Sequence, residues 1–241
     1  IGNIAHQWKQ PLSTISTIST GIKFQNEMNC LNDHDITLGM DNINGSVQYL
    51  SQTIDDFRNF FKPNKTKTNF NILDALENTI KLMGSQFKNN NIELIKNINN
   101  AELYGYYNEL LQVLINILKN AKDELIKLDT NKRRIIFIDT YTDKSNLIIK
   151  IRDNANGIPS DIIEKIFEPY FTTKHAKQGT GIGLYMSKQM VEKHMSGKIT
   201  VKNIKHKLGT PDFYACTMFT IAIPKTSEDT MHEDDDEQAQ F

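Results

Sequence analysis

The sequence predicts an α+β protein in which a helical hairpin is followed by a sandwich of helices on one face of a sheet. Two observations predict this architecture. Between residues 35 and 61, apolar side chains recur in alternating steps of four and three, a pattern typical of a helix that packs along a single seam. Beyond residue 68, the periodicity changes to a mixture of helical and strand-like segments, which favours a sheet that contains antiparallel pairs.

The hairpin is predicted to occupy residues 1–63. A second apolar stripe at helical spacing precedes the seam, and residues 29–33 are expected to form the turn between two antiparallel helices. The stripe comprises Ile4, Trp8, Leu12, Ile15, Ile18 and Ile22, and the seam comprises Ile36, Met40, Ile43, Val47, Leu50, Ile54, Phe57 and Phe61. In a pair of antiparallel helices, each helix buries only one of its faces. We therefore expect two hairpins to associate into a four-helix bundle in a homodimer.

The sandwich is predicted to occupy residues 68–224. Asn71 is expected to cap a helix over residues 72–87, and Asn108 a helix that runs through Leu125. The second of these helices is expected to turn Leu111, Leu114, Ile115 and Leu118 inward. Strands are expected at residues 92–98, 103–104, 134–142, 147–152, 198–202 and 217–223, with a further helix after Gly181 and a linker at residues 61–68.

Composition argues against several classes of function. A net charge of −1 and a pI near 6.7 give the protein no overall field that would attract nucleic acid. Hydrophobic residues make up 39% of the chain, and no apolar run approaches the roughly 18 residues that a membrane helix needs. Cys30 and Cys216 show neither metal-ligand spacing nor a disulfide framework, which fits a reducing cytosol. We therefore expect a cytoplasmic protein without a nucleic-acid partner.

Both ends of the chain carry further predictions. The first residues lack an initiator Met and the basic-then-apolar order of a signal peptide, so we interpret them as an internal cut through a longer protein. Any membrane attachment would then come from a sensor region before Ile1. At the other end, residues 225–241 form an acidic tail, with seven acids between residues 228 and 237, that is predicted to be disordered.

Two asparagines four residues apart form the first of three motifs that point to a nucleotide. Asn116 and Asn120 project from one face of the predicted helix. Amide oxygens are suitable ligands for Mg²⁺, which keeps most of its waters and bridges phosphate oxygens. Because the chain contains 25 asparagines, two solvent-facing amides are an equal alternative for this pair taken alone.

A carboxylate turn and a glycine-rich segment are the other two motifs. Asp153 ends a predicted strand, and its carboxylate can accept a hydrogen bond from an exocyclic amine such as adenine N6, while Gly157 permits a tight turn. An ordinary Asx turn is the alternative. Residues 179–184, Gly-Thr-Gly-Ile-Gly-Leu, open a helix whose free amides favour phosphate, although they match neither a Walker loop nor a dinucleotide-binding turn. Taken in order, the three motifs predict ATP with Mg²⁺.

A segment with the character of a lid lies between the last two motifs. Residues 166–174 read Ile-Phe-Glu-Pro-Tyr-Phe-Thr-Thr-Lys and precede a polar stretch. We interpret them as a mobile lid hinged near Phe171, whose aromatic side chains could close over a bound nucleotide. Thr173 belongs to this segment, and Lys174 is the expected phosphate-facing charge, with a solvated lysine as the alternative.

These motifs resemble, in order and spacing, the N, G1, F and G2 boxes of histidine kinases. Residues 68–224 thus resemble the Bergerat-type ATP-binding domain that these kinases share with type II topoisomerases, mismatch-repair ATPases and heat-shock chaperones. Residues 6–12, His-Gln-Trp-Lys-Gln-Pro-Leu, look like a phosphoacceptor box of the His-Gln-Trp-Arg-Gln-Pro-Leu type. The resemblance implies a two-component sensor histidine kinase with a dimerisation and phosphoacceptor domain at residues 1–63, a catalytic domain at residues 68–224 and a tail at residues 225–241.

The resemblance also implies a role for each motif residue. Asn120 would hold Mg²⁺, Asn116 would contact phosphate and Asp153 would read adenine. The other residues implied in nucleotide binding are Gly157, Phe171, Thr173, Lys174, Gly179, Thr180, Gly181, Ile182, Gly183 and Leu184. His6 would take the γ-phosphoryl group, since an imidazole with its ordinary pKa of about 6.5 is largely neutral at pH 7. It would pass the group to an Asp on the receiver domain of a response regulator, and Gln10 could orient water for the reverse phosphatase reaction.

Three positions depart from the family pattern. Gln7 stands where most relatives carry a Glu or Asp that orients the imidazole and takes its proton, and an amide is a poor base. We treat it as a mark of subtype. Ala155 replaces the first glycine of the G1 box, which is tolerable if its φ is negative. Residues 214–221 replace the usual glycine-rich approach to the last strand.

Two alternative functions stay open. One is a hydrolytic ATPase of the same superfamily that drives a conformational change. Against it, we interpret Gln112 as occupying the position of the water-activating Glu in those relatives, and an amide cannot act as a general base. The other is a degenerate scaffold that binds nucleotide and only docks partners, which Gln7 and the eroded final glycine box favour.

Overall fold

The computed structural model describes residues 2–60, 66–129, 131–174, 180–207 and 213–225. Within these ranges, the side chains of residues 2–10, 52–53, 55–60, 207 and 213 lie outside the description. The chain divides into two compact units, one formed by Ile1–Pro63 with Pro169–Gly183 and the other by Asn64–Glu168 with Leu184–Phe241. The domain limits given by the sequence analysis stay a prediction.

Two long helices form most of the first unit. Helix α1 spans Gly2–Glu27, with Pro11 inside it, and α2 spans Asp33–Phe60. The helices pack closely, because a Cβ placed on Gly39 would lie only 2.6 Å from the side chain of Ile22. The chain therefore turns between the two helices where the sequence predicts a turn.

Part of the predicted seam on α2 remains exposed in the single chain. The exposed fractions are 36% for Ile36, 45% for Met40, 49% for Val47 and 47% for Ile54. The association of two helix pairs into a four-helix bundle stays a prediction. None of the helices in the described part of the chain is both long and apolar enough to span a membrane.

The second unit carries the sheets and the remaining helices. In chain order the elements after α2 are β1 (Thr68–Asn71), α3 (Ile72–Asn89), β2 (Ile92–Ile98), β3 (Glu102–Gly105), α4 (Tyr107–Leu125), β4 (Arg134–Thr142), β5 (Asn146–Asp153), α5 (Gly183–Gln189), a π-helix (Met190–His194), β6 (Lys198–Lys207) and β7 (Phe213–Pro224). Five strands form a sheet in the order β2-β4-β5-β7-β6, in which β2 runs parallel to β4 and the other neighbours are antiparallel. Strand β1 pairs antiparallel with β3. An α+β sandwich with a mixed sheet is thereby confirmed.

The predicted strands at residues 92–98 and 134–142 are confirmed, whereas the last two strands are longer than predicted. Strand β5 ends at Asp153, but β6 and β7 continue to pair with each other as far as Lys207 and Phe213. Apolar residues alternate only weakly in this extension, so the sequence gives little indication that the two strands continue. The predicted linker is also too long by one residue, because Thr68 begins β1.

The start of α3 is confirmed and the start of α4 is not. Asn71 caps α3, since its Oδ1 accepts a hydrogen bond from the amide of Leu73 at 2.9 Å. Helix α4 begins at Tyr107, so a cap at Asn108 is wrong. The carbonyl of Tyr106 accepts the first helical amides instead, and no side chain caps this end.

The inward face of α4 differs in part from the prediction. Leu114 and Leu118 are fully buried as expected, but Leu111 and Ile115 are only half-buried. The buried residues of α4 are Glu109, Leu110, Val113, Leu114, Ile117, Leu118, Ala121 and Leu125. Because apolar residues occur on more than one side of this helix, spacing alone does not select the face that packs.

Candidate functional site

Asn116 and Asn120 lie four residues apart on α4, and both side chains are half-buried. The amide Nδ2 of Asn116 donates a hydrogen bond to the Oγ of Ser187 at 3.2 Å. Ser187 lies on α5 and is fully buried. Since α5 begins at Gly183, this hydrogen bond joins the asparagine face of α4 to the helix that directly follows the glycine motif. Ser187 was not predicted from the sequence, because no local motif marks it.

The geometry of α4 corrects one residue assignment. The residue one turn before Asn120 is Asn116, and Gln112 lies two turns before it. The assignment of Gln112 to the position of the water-activating Glu is therefore wrong. Because Asn116 is also an amide, the conclusion is unchanged: the side chain at this position cannot act as a general base.

The carboxyl group of Asp153 is buried at the end of β5, with 4% of the residue exposed. Its Oδ1 accepts a hydrogen bond from the backbone amide of Ala155 at 3.0 Å. The pKa of Asp153 is raised to about 7, mainly by burial and to a smaller extent by the negative charge of Glu124, while hydrogen bonds from Ala155 and Thr217 oppose the shift. Thr217 is the partner of Asp153 across the β5–β7 pair. The carboxyl group can thus be either neutral or ionised near neutral pH.

The turn that follows Asp153 has an unusual backbone. Asn156 and Gly157 have successive positive φ angles of 71° and 81°. Ala155 does not have a positive φ, so alanine is tolerated here in place of the first glycine of the G1 box. Asn154 fixes the start of the turn, because its Oδ1 accepts the amide of Ile135 at 2.8 Å.

The end of the same turn is held by Asn203 on β6. The amide of Ile158 donates to Asn203 Oδ1 at 2.8 Å, and Asn203 Nδ2 donates to the carbonyl of Ile158 at 2.7 Å. A Cβ placed on Gly157 would lie 2.8 Å from Asn203 Oδ1, so the glycine also leaves room for this side chain. The sequence analysis missed Asn203, because the predicted strand stops at residue 202. Ile199 and Val201 alternate with exposed residues, so a strand predicted to continue by one more residue would have placed residue 203 on their side.

The root of the predicted lid is packed into the second unit. Ile166 is buried, and the ring of Phe167 meets the ring of Phe219 edge-to-face at 6.3 Å between centroids. The ammonium group of Lys188 on α5 lies 5.6 Å from the centroid of Phe167. The first residues of this segment are therefore anchored, and mobility of the residues after them stays a prediction.

The rest of the predicted lid and the glycine motif as far as Gly183 belong to the first unit. The amide of Tyr170, whose φ is 69°, donates to the carbonyl of Gly181 at 2.8 Å. Gly181 has a φ of 65°, and a Cβ there would collide with the backbone of Tyr170. Glycine is therefore required at position 181 for this close approach.

The remaining predicted residues of this segment are placed as follows. Phe171, Lys174, Thr180, Gly183 and Leu184 are half-buried, Thr173 is exposed and Ile182 is buried, whereas Gly179 lies outside the described residues. Their role in nucleotide binding stays a prediction, as do the roles of Asn116, Asn120, Asp153 and Gly157.

A partly buried contact between two side chains provides a second link between α4 and the chain after the glycine motif. His194 Nδ1, in the π-helix, lies 2.8 Å from Glu109 Oε2, and Glu109 is buried. The ring of Tyr106 meets the imidazole edge-to-face at 6.3 Å between centroids. The sequence analysis assigned no role to His194, because its partner lies 85 residues earlier in the chain.

The predicted phosphoacceptor segment lies within α1. The side chains of His6, Gln7 and Gln10 fall outside the described residues, so their assigned roles stay predictions.

Comparison with known proteins agrees with the sandwich and its motifs. The family described as histidine kinase-, DNA gyrase B-, and HSP90-like ATPase matches residues 105–227. Sporulation kinase E of Bacillus subtilis is 27% identical over 226 residues, which cover 92% of this chain and 28% of that protein. Sensor histidine kinase ZraS of Salmonella typhimurium is 28% identical over 226 residues, which cover 92% of this chain and 44% of that protein. The chain thus spans less than half the length of these relatives.

Solved structures show the same fold. The catalytic domain of histidine kinase ThkA is 27% identical, with a TM-score of 0.56, and the match covers 67% of this chain and 97% of that one. A crystal structure of ThkA in complex with the response regulator protein TrrA matches with a TM-score of 0.66 at 20% identity, covering 93% of this chain and 60% of that one.

Proposed function

Because the chain belongs to the histidine kinase-, DNA gyrase B-, and HSP90-like ATPase family, and its relatives include sensor histidine kinases, we propose that it is the kinase core of a two-component sensor. In this proposal the chain binds ATP with Mg²⁺ and phosphorylates His6 within a homodimer. The phosphoryl group then passes to an Asp of a response regulator.

The hydrogen bond between Asn116 and Ser187 is the observation that carries the proposal. It fixes the asparagine face of α4 to the helix that begins at the end of the glycine motif. A nucleotide site of this kind needs amide groups for the metal and phosphates close to a helix that follows glycines. Contact between these two elements is what the order of the sequence motifs predicts.

Asp153 suits the recognition of adenine. Its carboxyl group is buried but keeps acceptor capacity, because an ionised carboxylate offers about four lone-pair sites and the described donors are Ala155 and Thr217. The exocyclic amine of adenine can donate to one of the remaining sites. A purine with a carbonyl oxygen at that position would instead meet a second acceptor.

The asparagines suit a magnesium ion held jointly by protein and nucleotide. Asn120 presents an amide oxygen on the same side of α4 as Asn116, and Mg²⁺ favours a small number of such oxygens together with phosphates and waters. When bound, the ion supplies charge neutralisation at the phosphates. By the resemblance, phosphate binding would fall to Asn116 and the glycine motif, with Lys174, Thr173 and Phe171 of the predicted lid as further nucleotide-binding residues.

The helical unit is proposed to supply the phosphoryl acceptor. His6 lies on α1 five residues before Pro11, in a segment whose sequence resembles the phosphoacceptor box of histidine kinases. Gln7 can orient the imidazole without taking its proton, and Gln10 lies one helical turn after His6 for the reverse reaction with water. The exposed seam on α2 supports a homodimer, since a second helix pair would bury those apolar side chains.

A response regulator is proposed as the recipient of the phosphoryl group. The relative ThkA has been solved as an isolated catalytic domain and in complex with the response regulator protein TrrA. We carry this partner class over to the present chain by its likeness to ThkA.

Transfer of labelled phosphate tests the proposal. With ATP labelled at the γ-phosphate, the chain should take up acid-labile label, and His6→Ala should abolish this uptake without weakening ATP binding. His34→Ala, which alters an exposed histidine at the start of α2, is the matched control and should label normally. Equal labelling of the His6→Ala variant would overturn the acceptor assignment.

Two other outcomes would favour the alternatives. Sustained phosphate release without any phosphoprotein would favour a hydrolytic ATPase. An Asn120→Ala variant with unchanged affinity for ATP in Mg²⁺ would favour a scaffold that binds nucleotide without using it.

A further inference from the structure

We infer that Asn203 is a positioning residue for adenine recognition, which fixes the turn after Asp153 so that the protein discriminates between purine bases. The inference rests on the proposed nucleotide site and adds to it a residue from a different strand. Asn203 lies 45 residues from the turn that it holds.

The side-chain amide of Asn203 pairs with the backbone of Ile158 as a residue of a neighbouring strand would. Asn203 Oδ1 accepts from the amide of Ile158 at 2.8 Å, and Nδ2 donates to the carbonyl of the same residue at 2.7 Å. Strand β7 lies between β5 and β6, so backbone pairing from β6 does not extend to the turn. The amide of Asn203 takes the place of a neighbouring strand at this one residue.

The turn needs such support because its own backbone is strained. Asn156 and Gly157 both have positive φ, and a non-glycine residue in this region costs free energy that the surroundings must offset. Asn154 holds the start of the turn against β4 and Asn203 holds its end against β6. Between these two supports lies Ala155, whose amide orients the Asp153 carboxyl group. A shift of the turn therefore moves the group that reads the base.

Asparagine is the residue type that this contact requires. The backbone of Ile158 offers one donor, its N–H, and one acceptor, its C=O. A side-chain amide offers the complementary acceptor and donor at the same spacing. An aspartate in this place could accept from the amide but could not donate to the carbonyl. Asn203 is exposed and Ile158 is half-buried, so replacing Asn203 leaves no fully buried polar group unsatisfied and the fold should persist.

Affinities for two nucleotides test the inference. In inosine triphosphate an oxygen replaces the N6 amine of ATP, so ATP should bind the unsubstituted chain more tightly. Asn203→Ala should weaken ATP binding roughly fivefold, as expected for two solvent-accessible hydrogen bonds. Its affinity for inosine triphosphate should stay the same, so the preference for ATP falls by the same factor. The affinity of Asn203→Asp for ATP should lie between those of the unsubstituted chain and Asn203→Ala.

The control and the contrary outcomes separate this inference from the proposed function. Lys202→Ala alters the neighbouring exposed residue on the opposite side of β6 and should leave both affinities unchanged. Thermal unfolding should show that all variants fold. An Asn203→Ala variant that keeps the preference for ATP, or that loses affinity for both nucleotides equally, would overturn the positioning role alone. A wild-type chain that binds neither nucleotide would overturn the proposed function and this inference with it.

Discussion

Glu109 on α4 and His194 in the π-helix meet at 2.8 Å, between Oε2 and Nδ1, although 85 residues separate them in the chain. Glu109 is buried, while a quarter of the His194 side chain is exposed. Together with the hydrogen bond from Asn116 to Ser187, this contact attaches the chain after the glycine motif to α4 at two points.

His194→Ala should destabilise the protein by about 2 kcal/mol, because it removes the imidazole that the buried carboxylate contacts. Glu109→Gln should cost less, since an amide can still hydrogen-bond to the ring. Urea denaturation measures both. Lys193→Ala, an exposed neighbour, is the control and should change the free energy of unfolding by less than about 0.5 kcal/mol. Equal losses for His194→Ala and Lys193→Ala would show that the contact contributes nothing.

The titration of Asp153 should make both stability and ATP binding depend on pH. Its pKa is raised in the folded chain from 3.8 to about 7 by burial. Between these values the folded chain holds a proton that the unfolded chain has released, so this group makes the free energy of unfolding fall as pH rises through that window. ATP affinity should rise over the upper part of the window, because an ionised carboxylate accepts a hydrogen bond from adenine N6 more strongly than a neutral carboxyl group does.

Asp153→Asn is the comparison for this pH dependence. It removes the titrating group, so its stability curve should lack the fall seen in the unsubstituted chain. Urea denaturation at several pH values measures the first effect and equilibrium ATP binding the second. Parallel stability curves for the two proteins would show that Asp153 titrates normally in the folded state.

The exposed seam on α2 should govern the oligomeric state. Val47→Glu places a charge among apolar side chains such as Met40 and Ile54, so it should convert a dimer into a monomer at micromolar concentration. Light scattering or sedimentation measures the change. Gln48→Glu alters the adjacent exposed residue and should leave the dimer intact. The homodimer proposal fails if the unsubstituted chain is itself a monomer under these conditions.

Local signals were sufficient for much of the fold. Asn71 caps α3 through a hydrogen bond two residues along the chain, and the strand at residues 92–98 shows its own alternation. The three motifs also fall on the elements expected of them, with Asn116 and Asn120 on a helix and Asp153 at the end of a strand. Each of these features is determined by residues close together in sequence.

Contacts between distant residues account for what was missed. The buried face of α4 is chosen by its packing partners, because apolar residues lie on several sides of the helix. Ser187, His194 and Asn203 gain their importance from partners 71, 85 and 45 residues away. No periodicity or short motif encodes such pairings.

The two contacts with α4 hold the part of the chain that follows the glycine motif. Ser187 lies on the helix that begins at Gly183, and His194 ends the π-helix that follows it, so each of these two helices has one contact with α4. The boundary between the two compact units also falls between Gly183 and Leu184. If the chain binds nucleotide as proposed, we expect the two helices after Gly183 to keep their place on α4 while nucleotide enters and leaves.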